Sequence, residues 1–293
     1  MYCPDTPRRS VLYLPASNPR AVKKAASLSA DALIFDLEDA VSTDAKVNAR
    51  NAAINAVNSD DYGQRELFIR VNTLESPWGV DDIKAAVESK VHAILVPKVS
   101  EIKDLLLVED VIRGQSKSES LGLWAMMETP KGILEADRIA KSSEFLSGYC
   151  IGTADLSMEL QCQHPPDRSS MLMSLQLVVL AARANGILVL DGVHVDIKNM
   201  ETFEAACRQG KNLGFDGKTL VHPDQIAIAN KTFSPTADEL ASATKVIMAY
   251  EEAVLEGKGI TTLDGRLIEK LHVNMARQLI SRADIIGSFE TSE

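Results

Sequence analysis

The stretch Ala32–Asp39, ALIFDLED, runs from an uninterrupted apolar segment into three acids within four residues. A short apolar run without polar alternation reads as a strand covered on both faces, as in a parallel sheet under helices. LFIRVN (Leu67–Asn72), LWAMMETPKG (Leu123–Gly132) and YCIGTADLS (Tyr149–Ser157) repeat the pattern, with a charged residue where each run ends. Asp36, Glu38, Arg70, Glu128 and Asp155 are therefore expected to meet at the carboxyl ends of parallel strands. In a closed barrel that is the face where chemistry is done. Carboxylates with one arginine on a common rim point to a hard metal ion and an anionic substrate.

Outward from this stretch, strand-like and helix-like segments alternate from Ser10 to about Lys231. Strands are expected at 10–14, 32–35, 67–71, 93–96, 123–127, 149–151, 187–190 and 219–221. Helices are expected at 19–29, 43–57, 77–87, 101–113, after Pro130, at 169–185, at 200–211 and from Pro223. Eight such units predict an α/β fold, a (βα)8 barrel over residues 1–232, rather than a doubly wound open sheet. The open sheet would want a glycine-rich first turn, and residues 14–18, LPASN, contain no GxGxxG. The remainder, 233–293, reads as a helical extension or lid: an amphipathic helix over 237–255, a loop over 257–265 with three glycines, and a helix over 267–286. Glycines in such a loop permit movement.

The bulk properties agree with an ordinary globular enzyme. The chain has 293 residues, enough for one large core, with 45% hydrophobic and 25% charged residues. A net charge of −10 argues against nucleic acid, which requires clustered Lys and Arg. Neither a membrane span nor the apolar segment of a signal peptide is present, and Cys3, Cys150, Cys162 and Cys207 form no CxxC pair. Reduced thiols in a cytoplasmic protein are the simplest expectation.

Several side chains carry two readings. Glu128 and Asp155 suit Mg²⁺, which takes one or two protein carboxylates and keeps places for water and substrate; they would also serve as helix caps. Arg70 can grip a carboxylate or carbonyl oxygen in bidentate fashion, or pair with Glu38 or Asp39. Asp36, Glu38 and Asp39 are expected to orient Arg70 and metal-bound water, although three acids in four residues also make a solvated turn. The N–H groups of Ala154 and Asp155 are candidates for binding the same substrate carboxylate. Lys98 either steadies the charged site or pairs with a rim acid. His222 reads as a hydrogen-bonded rim histidine more readily than as a proton-transfer group. Arg8, Arg9, Lys23 and Lys24 form a basic cluster in an acidic chain, with Arg9 and Lys24 as candidate phosphate contacts.

RRSVLYLP, DALIFDLEDAV with the following Lys46 and Arg50, IRVN, LVPK, METPKG, IGTADL, LDGVHVDI and GFDGKTLVHPDQI together resemble the citrate lyase β-subunit-like branch of the HpcH/HpaI aldolase superfamily. That branch includes malyl-CoA and citramalyl-CoA lyases, and the similarity covers about residues 8 to 280. It implies a TIM barrel, Mg²⁺ on Glu128 and Asp155, and Arg70 on the carboxyl and carbonyl oxygens of a 2-keto acid. The implied reaction is cleavage or formation of a C–C bond in a 3-hydroxyacyl-CoA thioester. A citrate lyase β-type subunit acting on a carrier-bound thioester and a malyl-CoA thioesterase are the alternatives. The resemblance also implies a trimer or dimer of trimers whose C-terminal segment covers a neighbour's site. The family's lid carries a proton-transfer Asp in a GxMxD stretch; the matching residues 265–269, GRLIE, place Glu269 there, with Asp264 nearby.

Overall fold

Eight parallel strands close on themselves in chain order in the computed structural model, which describes residues 6–59, 61–114 and 121–291. They are β1 (Ser10–Pro15), β2 (Ala32–Asp36), β3 (Glu66–Arg70), β4 (Ala93–Val96), β5 (Gly122–Met127), β6 (Leu146–Ile151), β7 (Leu188–Asp191) and β8 (Gly217–Leu220). Closure comes from β1, which pairs β2 through Val11–Pro15 and β8 through Ser10–Leu12. The helices between them are α1 (Pro19–Ala25), α2 (Lys46–Ser59), α3 (Gly79–Glu88), α4 (Ile102–Arg113), α5 (Pro130–Ala140), α6 (Thr153–Glu159), α7 (Leu172–Ala184), α8 (Met200–Leu213) and α9 (Ile226–Phe233).

The apolar runs are continuous because every strand is buried twice. Side chains alternate across a strand, so Val11, Ile34, Phe68, Trp124, Met126, Cys150 and Leu190 fill the barrel. Their neighbours Leu12, Leu33, Phe35, Ile69, Ile94 and Leu123 pack outward under the helices. Trp124 is the largest plug, edge-on to Phe68 with ring centroids 5.4 Å apart. Gly148 makes room for it, since a Cβ there would stand 2.6 Å from the indole. The same parity carries Tyr13, Asp36, Arg70 and Glu128 to the open end of the barrel interior.

At the amino end of the strands, two buried arginines are paired with acids. Arg9 donates from N, Nε and Nη2 to the Asp31 carboxylate at 2.7, 2.9 and 2.8 Å, and Arg8 pairs with Glu66. Both arginines are buried. Lys23 and Lys24 lie in the last turn of α1, which returns the chain to this end. Arg8 and Arg9 are thus taken up by Glu66 and Asp31, whereas Lys23 and Lys24 are exposed on that helix. Helix α1 stops at Ala25, four residues before the expected end, because Ser27 caps it by donating from N and Oγ to the Lys24 carbonyl at 3.0 and 2.8 Å.

The chain divides into two compact units, Arg8–Phe233 and a second from Ser234 onward. The second holds α10 (Ala237–Leu255), β9 (Thr261–Leu263), β10 (Arg266–Ile268) and α11 (Lys270–Thr291). The expected loop over 257–265 is partly a β-hairpin. Asp264 (φ 51°) and Gly265 (φ 75°) are both left-handed, the two-residue turn that Asp-Gly favours. Because 266–268 pair in that hairpin, α11 begins at Lys270 instead of Leu267, and Glu269 sits just before it. Among the described residues no helix is long and apolar enough to cross a membrane.

His92 locks the amino ends of β3 and β4 together: its Nδ1 accepts the Leu67 N–H at 3.0 Å while its own N–H donates to Leu67 O at 2.9 Å. Although the residue as a whole is exposed, desolvation of the ring side that meets Leu67 holds the imidazole below its ordinary pKa, with Glu66 opposing without reversing it. The unfolded chain then binds the extra proton, so His92 contributes stability above about pH 6.5 that is lost as pH falls from there toward the folded value. His92→Asn keeps an acceptor that does not titrate. Its melting temperature should therefore fall less than wild type's between pH 7.5 and 5.5, and parallel curves would refute the role.

Candidate functional site

The open end of the barrel interior is a layer of charge built by strand parity and register. Asp36 and Arg70 are direct partners across β2 and β3. Nε and Nη2 of Arg70 donate to the two oxygens of Asp36 at 2.7 and 2.6 Å, and its guanidinium lies 4.9 Å from the Tyr13 ring centroid. Asp36 is held in turn by the N–H groups of Glu38 (2.9 Å) and Ala40 (3.1 Å), so the chain after β2 folds around this carboxylate. Lys46 fixes the same turn by donating to the carbonyls of Leu37 and Glu38. Arg50 does similar work one layer out: it pairs with Asp82, which accepts from N and Nδ2 of Asn72 in IRVN.

The third guanidinium nitrogen of Arg70 faces Glu38 Oε2 at 3.1 Å and Asp39 at 3.7 Å. The Glu38 contact is close enough for ion pairing but not aligned for a hydrogen bond, and that buried oxygen has no other partner. Burial, then the neighbouring Asp39 and Asp36, push the Glu38 pKa to about 7 against the pull of Arg70 and Lys98. For Arg70, burial works against the charge, but Tyr13, Asp36 and Glu38 outweigh it and hold its pKa above the ordinary value. Of the three acids, Asp36 and Glu38 are buried and gather on Arg70, whereas Asp39 is solvent-exposed at the edge of the same group.

Glu128 follows β5 on the interior side and is 1% exposed. Its Oε1 accepts the Lys98 N–H at 2.7 Å. Asp155, in the first turn of α6, faces the same cavity of about 380 Å³, together with Tyr13, Arg70 and Ala154. Burial foremost, with added repulsion from Asp155 and Glu38, raises the Glu128 pKa to about 7. A cation placed between the two carboxylates would relieve that repulsion, and oxygen donors suit a hard divalent ion. Among the described residues no three His, Cys, Asp or Glu side chains form a closed metal cage. Two carboxylates leave coordination places for water and substrate. Neither acid caps its helix by side chain: Thr129 caps α5, and α6 has Gly152 at its N-cap.

Two residues gain importance from the structure. Tyr13 lies under the Arg70 guanidinium, and burial raises its pKa well above the ordinary value, so it stays neutral beneath the charges. Its alternation with Val11 was the only sequence signal. Lys98 is the second: its Nζ stands 3.8 Å from Glu38 and 3.7 Å from Asp155, serving both readings open to it. Burial opposes its charge, but the surrounding acids raise its pKa. His222 takes the hydrogen-bonded reading, its Nδ1 accepting the Asp224 N–H at 3.2 Å.

Gly152 is required by space rather than by backbone angle. A Cβ there would stand 2.1 Å from Glu128 Oε2 and 2.6 Å from Glu128 Cβ. Gly152→Ala should displace this carboxylate and weaken divalent-cation binding at least about tenfold, with a stability loss of about 1–3 kcal/mol. Calorimetric titration with wild-type affinity in a folded variant would contradict this arrangement of Glu128.

The chain matches known proteins over nearly its whole length. A (3S)-malyl-CoA thioesterase of Cereibacter sphaeroides is 46% identical over 286 residues, covering 98% of each chain. The citrate lyase subunit β of Escherichia coli is 35% identical over 285 residues, covering 96% of this chain and 94% of that protein. Among solved structures, the protein CitE from Mycobacterium tuberculosis, in complex with magnesium, acetoacetate and coenzyme A, superposes with a TM-score of 0.80 at 27% identity, over 96% of this chain and 99% of that one. The HpcH/HpaI aldolase/citrate lyase family profile matches residues 9–223, and the chain belongs to that family.

Proposed function

We propose that the chain is a Mg²⁺-dependent enzyme acting on a 3-hydroxyacyl-CoA thioester of the malyl-CoA type. The observation that carries this reading is the meeting of Glu128, Asp155 and Arg70 on one cavity wall, a cation-binding pair beside a guanidinium. An α-hydroxy or α-keto carboxylate has two adjacent oxygens that such a wall can hold. Magnesium in the CitE complex supports the choice of ion. Bound between Glu128 and Asp155, Mg²⁺ would supply Lewis acidity to those oxygens.

C–C cleavage is the reaction this geometry supports best. Arg70 stabilises the charge on the substrate's 3-oxygen as its proton leaves. Glu38, buried behind Arg70 and facing its third nitrogen at 3.1 Å, holds that guanidinium in place, and the hydroxyl proton passes to water at the open end of the cavity. The C2–C3 bond then breaks, its electrons passing to the thioester as an enolate, and a 2-oxo acid is released. The enolate carbon needs a proton, for which we assign Glu269 of a neighbouring copy. Leu267, Leu271 and Met275 beside it are 51%, 53% and 63% exposed, an apolar strip suited to burial against a second copy. A second reading, hydrolysis of the thioester, is favoured by the 46% identity to the malyl-CoA thioesterase.

Product analysis separates the readings. With Mg²⁺ and free (3S)-malyl-CoA, cleavage yields glyoxylate and acetyl-CoA, whereas hydrolysis yields malate and CoA thiol. No reaction with any free 3-hydroxyacyl-CoA would sink both and leave a carrier-bound thioester. Arg70→Lys should cost at least about tenfold in kcat/KM, about 1.4 kcal/mol, because an ammonium cannot reproduce a bidentate fork. Mixing Arg70→Ala with Glu269→Gln subunits should restore activity that neither shows alone; verified mixed oligomers without recovery would rule out a shared site.

A further inference from the structure

Lys98 follows β4 with φ of 54°, a left-handed backbone that a residue with a Cβ adopts only when its surroundings impose it. Its loop is clamped on the far side: Ser100 Oγ bonds Thr129 Oγ1 at 2.8 Å, and the N–H groups of Ser100 and Glu101 donate to Asp104 at 2.9 and 2.8 Å. The twist brings two groups of one residue into the site. The N–H fixes Glu128 at 2.7 Å, and the ammonium stands between Glu38 and Asp155 at 3.8 and 3.7 Å. Those last distances are too long for hydrogen bonds, so the ammonium acts on the two acids as a charge. Its side chain is 42% exposed.

Five carboxylates (Asp36, Glu38, Asp39, Glu128, Asp155) gather here around two cations, Arg70 and Lys98. Arg70 is shared among Asp36, Glu38 and Asp39, which leaves Lys98 as the positive charge beside Asp155 and a second one beside Glu38. We propose that Lys98 is a positioning residue: its ammonium is the internal counter-ion of Glu38 and Asp155 and takes the electrostatic place that a divalent cation takes on binding. The inference rests on the cation site proposed above. It has a sign that a packing role lacks. The ammonium stabilises the cation-free chain and repels the incoming ion, so its loss destabilises the former and tightens binding of the latter.

The test uses the full chain with calorimetric Mg²⁺ titration, and melting temperatures in EDTA and in saturating Mg²⁺. Lys98→Met keeps the N–H that holds Glu128 and removes the charge. It should bind Mg²⁺ about tenfold more tightly, melt lower in EDTA and melt near wild type in Mg²⁺. Lys98→Gly removes the same charge while relaxing the backbone and should match it in affinity; Lys98→Arg should stay within about threefold of wild type. Unchanged or weaker Mg²⁺ binding in Lys98→Met and Lys98→Gly overturns the counter-ion role. A wild type that binds no Mg²⁺ sinks the cation reading instead. The EDTA melt then decides for Lys98: a lower value in Lys98→Met upholds the role and an equal one overturns it.

Discussion

The bidentate pair between Arg70 and Asp36 is the interaction on which the site's arrangement depends. Both groups are nearly sealed from water, at 7% and 1% exposure, so each needs the other. Removing one partner of such a pair leaves an uncompensated buried charge, which costs about 3–5 kcal/mol. The pair also sets geometry. Asp36 occupies two nitrogens of the guanidinium and the N–H groups of the following turn, which delivers Glu38 and Asp39 to the remaining nitrogen. Arg70 therefore meets the cavity with one defined edge, and Tyr13 below it blocks the other direction.

The two ends of the barrel show how location separates stability from chemistry. At the amino end, Arg9 with Asp31 and Arg8 with Glu66 pair closely and are buried. At the carboxyl end, acids outnumber cations, Glu38 keeps a buried oxygen without a hydrogen bond, and Glu128 is raised to about 7. Perturbed carboxylates in a cleft mark functional sites more often than structural ones. The contrast also shows what a basic cluster close in sequence leaves open: Arg9 is spent on Asp31 inside the barrel end, while Lys24 of the same cluster stays exposed.

Much of the fold was legible because strand burial leaves a direct trace. Runs such as ALIF and LWAMM must be apolar on both faces, and a charged residue can enter only where the run meets solvent or a site. Asp36, Arg70, Glu128 and Asp155 could be read from that rule. Lys98 could be read only as one of two alternatives, because its double contact comes from a left-handed φ imposed by its loop, and no residue type announces that conformation. Tyr13 was hidden for another reason: within LYLP it looks like any β-former, and only barrel parity puts it under Arg70. The hairpin before Glu269 did carry a signal, Asp264-Gly265, but three glycines in nine residues made the segment read as a loop.

The charge balance also orders the events that the site can support. With five carboxylates around Arg70 and Lys98, the cavity carries a net of about three negative charges when all are ionised. Such a surface repels the carboxylate of an incoming hydroxy acid, and burial magnifies the repulsion over its value in water. Burial foremost, with the neighbouring acids adding to it, raises the pKa values of Glu38 and Glu128 and favours proton uptake there. A divalent cation changes the balance to about one negative charge and places positive potential where the substrate's oxygens must sit. Arg70 cannot do this alone, since Asp36 already neutralises it. Cation first and anion second is therefore the order that this arrangement of side chains favours.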